Sequence, residues 1–310
     1  MTHEVVIVGA GPVGLFLAIE LATVGVNPLL LDRLSEPDRT IKAFAVGVVG
    51  AEALERRGLG AALAEAHRAT MALMAPWLKA RFGSAVQKKP GGHFSGMSLV
   101  DQNLQRDPDR HMRPVPQEAL ERILGVRASE LGIEVRRGVT VEGFEQDDEG
   151  VTVQTSAGPL RAQYLVGCDG GRSRVRKLAG FEFPGTDPTI TGHQAVVELD
   201  PPEALKPGWH RTPRGLVVSM PAGRVFTVQF KGPPPDRNAP ITQAEVEESI
   251  RYVSGLDIKV VSMTMASRWT DNARQATTYR KGRVLLAGDA AHVHSPFGGQ
   301  GLNLGLVDAA

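Results

Sequence analysis

The stretch that most constrains this chain is its first thirty-two residues. Val5, Val6, Ile7 and Val8 form an apolar run of the kind buried on both faces of a parallel sheet, and Gly9-Ala10-Gly11-Pro12-Val13-Gly14 follows at once. Apolar residues recur at Val13, Leu17, Leu21 and Val24, the spacing of a helix, before Leu29-Leu30-Leu31-Asp32 supplies a second strand. A strand, glycine turn, helix and strand within about 30 residues match the size of a βαβ unit. Parallel strands need such a crossover, so the expected fold class is α/β and Rossmann-like.

Each glycine of the turn has a steric task. Gly9 makes the tight turn, Gly11 lets a pyrophosphate approach the backbone, and Gly14 permits close helix-strand packing. The helix opening at Pro12 offers its N-terminal amides to the phosphates. Asp32, 18 residues beyond Gly14, ends the second strand, where a carboxylate accepts hydrogen bonds from an adenosine ribose, and Arg33 follows it. The motif predicts dinucleotide binding but does not separate FAD from NAD.

A length of 310 residues, at roughly 150 per domain, suggests two domains, and 42% hydrophobic residues suffice for a sizeable core. Glu52 to Arg57, Ala61 to His67 and Gln117 to Leu131 read as helices. Ile133 to Arg137, Val139 to Glu145 and Val151 to Thr155 read as a small antiparallel meander. Tyr164 to Cys168 is another buried strand, running into Asp169-Gly170-Gly171. From about Phe181 to Trp269, alternating stretches such as Leu216 to Met220 and Val225 to Lys231 surround one helix, Gln243 to Val253, opened by the capping pair Thr242 and Glu245. Val284 to Ala287 returns to the buried-strand pattern, ahead of Gly288-Asp289 and a glycine-rich loop. The expected layout is a discontinuous dinucleotide domain of residues 1–70, 102–180 and 275–310, interleaved with a smaller β-sheet substrate domain of residues 71–101 and 181–274.

Charge and composition exclude several classes. Thirty-five Lys and Arg against 34 Asp and Glu leave a net charge of +1 with no basic block, which argues against nucleic acid and anionic membranes as partners. No stretch reaches the roughly 18 to 20 uninterrupted apolar residues of a membrane span, and no cationic segment precedes Val5 as in a signal peptide. The single cysteine, Cys168, rules out a disulfide scaffold and fits a reducing compartment, so a cytoplasmic location is expected. Within an apolar strand it reads as an inert buried thiol. No G-x-S-x-G elbow supports a hydrolase. Asp289, His292 and His294 are conceivable metal ligands, but their segment reads as strand then loop, with no further ligand at suitable spacing. His93 is a candidate for lining a substrate cavity and equally an ordinary loop histidine. Arg172, Arg174, Arg176 and Lys177 either attract nicotinamide phosphates or form a solvated face.

Two later segments carry a family resemblance. Cys168-Asp169-Gly170-Gly171-Arg172-Ser173-Arg174-Val175-Arg176 resembles the DG motif of the class A flavoprotein aromatic hydroxylases, matching at its aspartate, glycine, serine and final arginine. Gly288-Asp289-Ala290-Ala291-His292-Val293-His294-Ser295-Pro296-Phe297-Gly298-Gly299-Gln300-Gly301-Leu302-Asn303, with Asp308 beyond, is similar to that family's GD motif almost throughout. The three motifs stand in the family's order, and the likeness covers the whole chain. Val115-Pro116-Gln117, Arg161 to Ser173, Phe183-Pro184-Gly185, and Arg274-Gln275 ahead of Tyr279 to Val284 most resemble the hydroxylases that tailor aromatic polyketides, including tetracycline- and rifamycin-modifying enzymes.

The resemblance implies non-covalent FAD held by Gly9, Gly11, Pro12, Gly14, Asp32, Arg33, Gln117, Asp169, Asp289, Pro296, Gly299, Gly301, Leu302 and Asn303. Asp289, at a strand's end, is placed for the ribityl hydroxyls. Gly298 to Asn303 brings amides and a helix N-terminus toward the pyrimidine ring, where a reduced flavin is negative. It further implies NADPH or NADH as co-substrate, and dioxygen that reaches a phenolic or polyketide-like aromatic substrate through a flavin hydroperoxide. No side chain stands out as a general base. A FAD-dependent oxidase or reductase without oxygen insertion, and a flavin-binding auxiliary protein without catalysis, remain open, as does the oligomeric state.

The chain departs from the family where His-Ala-Arg-Thr is usual and Gly47-Val48-Val49-Gly50 stands instead, leaving Arg39 and Lys42 as neighbouring cations. Similar hydroxylases also continue beyond the helix that begins near Leu302, so the 310-residue chain is expected to be a truncated form.

Overall fold

The computed structural model describes residues 2–40, 42–82, 93–94, 97–98, 104, 106–107 and 109–310. Strand β1 (Thr2–Val8) turns into α1 (Pro12–Thr23), whose opening proline suits the first helical turn. After β2 (Pro28–Asp32) come α2 (Val48–Arg56), α3 (Gly60–Phe82) and α4 (Gln117–Glu130). Strands β3 (Glu134–Arg137), β4 (Val141–Gln146), β5 (Val151–Thr155) and β6 (Gly158–Gly167) lead to the short α5 (Arg174–Leu178). The chain then builds β7 (Thr191–Asp200), β8 (Gly208–Thr212), β9 (Gly215–Ser219), β10 (Arg224–Gln229), α6 (Gln243–Ser254) and β11 (Lys259–Trp269). It returns to the first unit with β12 (Val284–Leu286) and α7 (Gly301–Ala309).

The first sheet orders its parallel strands β3-β2-β1-β6-β12, with Arg280–Lys281 antiparallel at one edge and the β4–β5 hairpin attached to β6. Alternate residues bury opposite faces. Val5, Ile7 and Leu30 pack with Phe16, Ile19, Leu54, Leu120 and Leu306 of the helices. Val6, Val8, Leu29 and Leu31 pack with Val141, Val151 and Val153 of the hairpin. Two-sided burial is why these strands read as unbroken apolar runs. Phe16 and Ile19 have no exposed surface, so truncating either to alanine costs about 2 to 5 kcal/mol.

The structure corrects the expected meander. Glu134–Arg137 lies parallel to β2, with Glu134 opposite Leu29 and Arg136 opposite Leu31, and the antiparallel unit is β4-β5-β6. Helix α4 carries the chain back across the sheet's face, and a strand that follows such a crossover pairs parallel. The helices also outrun their sequence signals. α2 begins at Val48 rather than Glu52, and α3 continues past residue 70 and Pro76 to Phe82. Its far half is tied to the second sheet by Trp77 Nε1, which donates to the Ser219 carbonyl at 2.9 Å.

The second sheet is antiparallel, ordered β8-β9-β10-β7-β11. One face buries Ala195, Val197, Val217 and Val225 under Val246, Ile250 and Val253 of α6. The helix is capped by Thr242, whose hydroxyl accepts the Glu245 N–H, and is ended by Gly255 at φ 74°. The other face gathers Leu216, Val228, Trp209 and Trp269 around Phe297, which belongs to the glycine-rich loop of the first unit. No helix among the described residues is long and apolar enough to cross a membrane.

Candidate functional site

The parallel strands deliver their carboxyl ends to one edge, and Gly9, Asp32, Asp169 and Asp289 stand at or just beyond the ends of β1, β2, β6 and β12. The turn after β1 is locked by backbone bonds, Gly9 N–H to Leu31 O and Cys168 N–H to Val8 O, both 2.7 Å. Gly9 has φ 107°, and a Cβ there would stand 2.3 Å from the Cys168 carbonyl. A Cβ on Gly14 would stand 1.9 Å from the Gly9 carbonyl. Gly11 is extended (φ −79°, ψ −176°), and a Cβ there would meet nothing within 4 Å. The fold therefore demands two of the three glycines. At Gly11 open space fronts the N-terminus of α1, which no side chain caps, and a pyrophosphate fits there. Pro12 is buried at the helix start.

The acidic residues are held by backbone amides. Asp32 accepts the Ala10 N–H at 2.8 Å and the Leu34 N–H at 2.9 Å, while Arg33 is exposed. Asp169 Oδ2 accepts the N–H groups of Arg174 (2.6 Å) and Val175 (3.2 Å), capping α5 beside Ser173. Its Oδ1 is buried with no partner, an acceptor suited to a cofactor hydroxyl. Asp289 opens to the edge yet is ringed by protein, and this crowding pushes its carboxyl above the usual range against the pull of His292, His294 and Lys42. Its Oδ1 would lie 3.4 Å from a Cβ on Gly301, so the carboxylate sits against the uncapped N-terminus of α7. Burial, with Asp169 and Asp308 nearby, pushes the Cys168 thiol well up.

The glycine-rich loop packs back onto the dinucleotide turn. A Cβ on Gly305 would stand 2.5 Å from Val13 Cγ2 and 3.2 Å from Gly288 Cα. Pro296 is exposed at the start of a single helical turn, and Gly299 takes φ 62°. The Leu302 side chain is buried in the core, which leaves its backbone as the part that can meet a ligand. Asn303 spends its amide within the chain: Oδ1 accepts the Gly47 N–H at 2.6 Å, and Nδ2 donates to Gly299 O at 3.1 Å and Ala45 O at 3.4 Å. Gln117 lies at the start of α4, where its Nε2 donates to Glu121 at 2.7 Å.

The departure at Gly47 to Gly50 has a packing consequence. Cβ atoms there would lie 3.2 Å from Asn303 Oδ1 and 3.1 Å from Leu306 Cδ1, so these glycines let α2 lie close to α7. Val49 is exposed, and Lys42 is paired with Asp38 at 2.8 Å.

Two features escaped sequence reading. Arg176 is a buried clamp that donates to Ala290 O and Gly171 O, both at 2.9 Å, and lies 3.7 Å over the Phe183 ring. Its burial takes it out of the basic run under either reading, phosphate attraction or solvated face; Arg172, Arg174 and Lys177 are exposed. His292 pairs with Asp308 at 2.6 Å and His294 at 3.1 Å. Its partner lies 16 residues away on a helix that folds back, a distance no local spacing rule flags. Strand His93–Phe94 pairs with Met97–Ser98, and the His93 side chain is outside the described residues.

A phosphate turn, two further acidic strand ends and an uncapped α7 that share one edge define a dinucleotide-binding protein of the two-sheet kind. The chain belongs to the FAD binding domain family, whose pattern matches residues 2–310. FAD, rather than NAD, is therefore the bound dinucleotide. The chain is 40% identical over 331 residues to the 12-dehydrotetracycline 5-monooxygenase/anhydrotetracycline 6-monooxygenase of Streptomyces rimosus, covering 100% of this chain and 61% of that protein. The solved anhydrotetracycline hydroxylase from Streptomyces rimosus superposes with a TM-score of 0.81 at 39% identity, over all of this chain and 60% of that one. A Diels-Alderase of pyrroindomycin biosynthesis superposes with a TM-score of 0.80 at 33% identity, over 99% of this chain and 64% of that one.

Proposed function

We propose that this chain is the cofactor- and substrate-binding part of a FAD-dependent monooxygenase that hydroxylates a polyketide-like or phenolic aromatic compound, with NADPH or NADH as electron source and dioxygen as oxygen donor. One observation carries this reading. Phe297 of the glycine-rich loop meets Trp269 of the second sheet edge-on, 5.8 Å between ring centres, so the loop that leaves the cofactor edge packs directly on the aromatic face of the second sheet. Gly192 makes the fit, since a Cβ there would stand 2.1 Å from the indole. Cross-strand register places Trp209, Val218 and Phe226 on that same face, with Gln194 beside Phe226, a largely apolar wall for a fused-ring substrate.

When bound, FAD supplies the redox chemistry that activates dioxygen. The chain holds the cofactor. Gly11 and the α1 amides receive the pyrophosphate, Asp32 the ribose, and Asp169 Oδ1 and Asp289 the remaining hydroxyls. The α7 N-terminus favours negative charge at the pyrimidine ring. We assign residues 1–70, 102–180 and 275–310 to the FAD unit and 71–101 and 181–274 to the substrate unit. Nicotinamide binds transiently, because the chain has no second strand, G-x-G-x-x-G and helix unit. The lone cysteine supports a cytoplasmic setting.

The similarity to a Diels-Alderase favours a second reading, a flavin-binding protein that inserts no oxygen. Turnover of an anhydrotetracycline-type aromatic under ¹⁸O₂ separates the two. Labelled product and aromatic-stimulated NADPH oxidation are expected. Unlabelled product would indicate an oxidase or reductase, and no aromatic-stimulated oxidation would indicate the binding role.

A further inference from the structure

Three polar side chains at the carboxyl edge form a hydrogen-bonded line. Asp308 Oδ2, on α7, accepts the Gly288 N–H at 2.8 Å and lies 2.6 Å from His292 Nε2. His292 is 4% exposed, and its Nδ1 lies 3.1 Å from Nε2 of His294, which is exposed. An ionised Asp308 can only accept, so neutral His292 carries its proton on Nε2 and its lone pair on Nδ1. That lone pair accepts from Nε2–H of His294, which leaves the His294 lone pair on Nδ1, the ring nitrogen outside the line. The loop carrying His294 runs from Asp289 at the cofactor edge to Phe297 against the aromatic sheet.

We propose that His294 is the general base of this site, taking the proton of a substrate phenol on Nδ1, with His292 and Asp308 as positioning residues. The proposal rests on the aromatic-substrate reading above. In the step, the phenol O–H bond breaks, its electron pair stays on oxygen as phenolate, and an Nδ1–H bond forms on His294. The Nε2 proton of His294 passes to His292 Nδ1, so one positive charge settles beside Asp308 and the net charge of the site is unchanged. The groups facing His292 are Asp308 from α7, Asp289 from the turn after β12, His294, and the Tyr279 ring 6.0 Å away. The hydrogen bond to Asp308 raises the His292 pKa, while burial and His292 lower that of His294, a gradient that draws the proton inward.

Long-range ¹H–¹⁵N spectra of the FAD-loaded protein with ¹⁵N-histidine test the line without substrate. At a pH above the raised folded pKa of His292, wild type should show His294 with its lone pair on Nδ1. Asp308→Ala removes the one oxygen, Oδ2, that Gly288 N–H and His292 Nε2 share. It should abolish the fixed Nε2–H tautomer of His292 and with it the single His294 tautomer. A proton on Nδ1 of wild-type His294 at that pH, or a pattern indifferent to Asp308→Ala, overturns the proposal. The second arm uses hydroxylated anthraquinones, whose visible spectrum reports phenolate. Wild type should bind them as phenolate near neutral pH. His294→Gln, an exposed change compatible with folding, should bind them with a phenolate-to-phenol ratio lower by roughly tenfold or more. An equal ratio in His294→Gln overturns the base role. Absence of binding across the dye panel overturns the aromatic-substrate reading and the base role with it, while the tautomer spectra still decide the line itself.

Discussion

Gly11→Val separates what the fold needs from what the cofactor needs. Gly11 has an extended conformation open to a β-branched residue, and a Cβ meets nothing within 4 Å. An apolar residue at a helix N-cap costs about 1 kcal/mol or less relative to glycine, so the melting temperature should fall by only about 2 to 4 °C. FAD binding should fare differently. Each α1 amide donating to the pyrophosphate contributes roughly 1.5 to 3 kcal/mol, as hydrogen bonds to charged groups do, and a side chain that holds the phosphate off two of them forfeits roughly 3 to 6 kcal/mol. The dissociation constant should rise by roughly 10² to 10⁴-fold, leaving purified Gly11→Val essentially colourless. Gly14→Ala is the contrast: its Cβ would stand 1.9 Å from the Gly9 carbonyl, so it should lose fold stability and flavin together. Thermal melts by circular dichroism and flavin content per protein read both effects. Wild-type-like flavin in Gly11→Val, or a melting loss as large as that of Gly14→Ala, would refute the reasoning.

Arg176→Met should lower stability by about 3 kcal/mol, since two carbonyls lose charge-assisted donors and Phe183 loses its stacked partner; a urea midpoint equal to wild type would contradict the clamp. Gly192→Ala should displace the Trp269 indole from Phe297 and weaken aromatic binding while FAD content stays near wild type, read by near-UV circular dichroism and ligand titration. The hydrogen bond to Asp308 raises the folded pKa of His292, so its contribution is present below the unfolded value of about 6.5 and is lost as pH rises through the folded value. The melting-temperature gap between wild type and His292→Gln should therefore be wider near pH 5.5 than near pH 8.5. His294 and His193, both lowered chiefly by burial, oppose this trend in both proteins, and a gap independent of pH would contradict the pairing.

The parts of the molecule readable from sequence are those whose information is local. The glycine turn, the apolar strands beside it and the Thr242 cap each act within a few residues, and the structure places them as expected. The partner of Glu134–Arg137 is not legible in the sequence because a four-residue strand carries no sign of which neighbour it will meet; the α4 crossover decides it. Arg176 looked like a surface cation because its carbonyl partners, Gly171 and Ala290, are brought together only when the DG and GD loops meet. His292 and Asp308 stayed hidden for the same reason, and Gly47 and Gly50 gained meaning only once α7 lay against them. The aromatic face of the second sheet was visible as alternation, but its contact with Phe297 links strands and a loop far apart in the chain.

The most direct measurement is the visible spectrum of the purified chain, followed by heat denaturation and mass analysis of whatever is released. Bound oxidised flavin, freed intact as FAD with no label left on the protein, is the predicted result, and it should vanish in Gly11→Val. A colourless wild-type protein that takes up no added FAD, or a flavin that stays covalently attached after denaturation, would contradict the account.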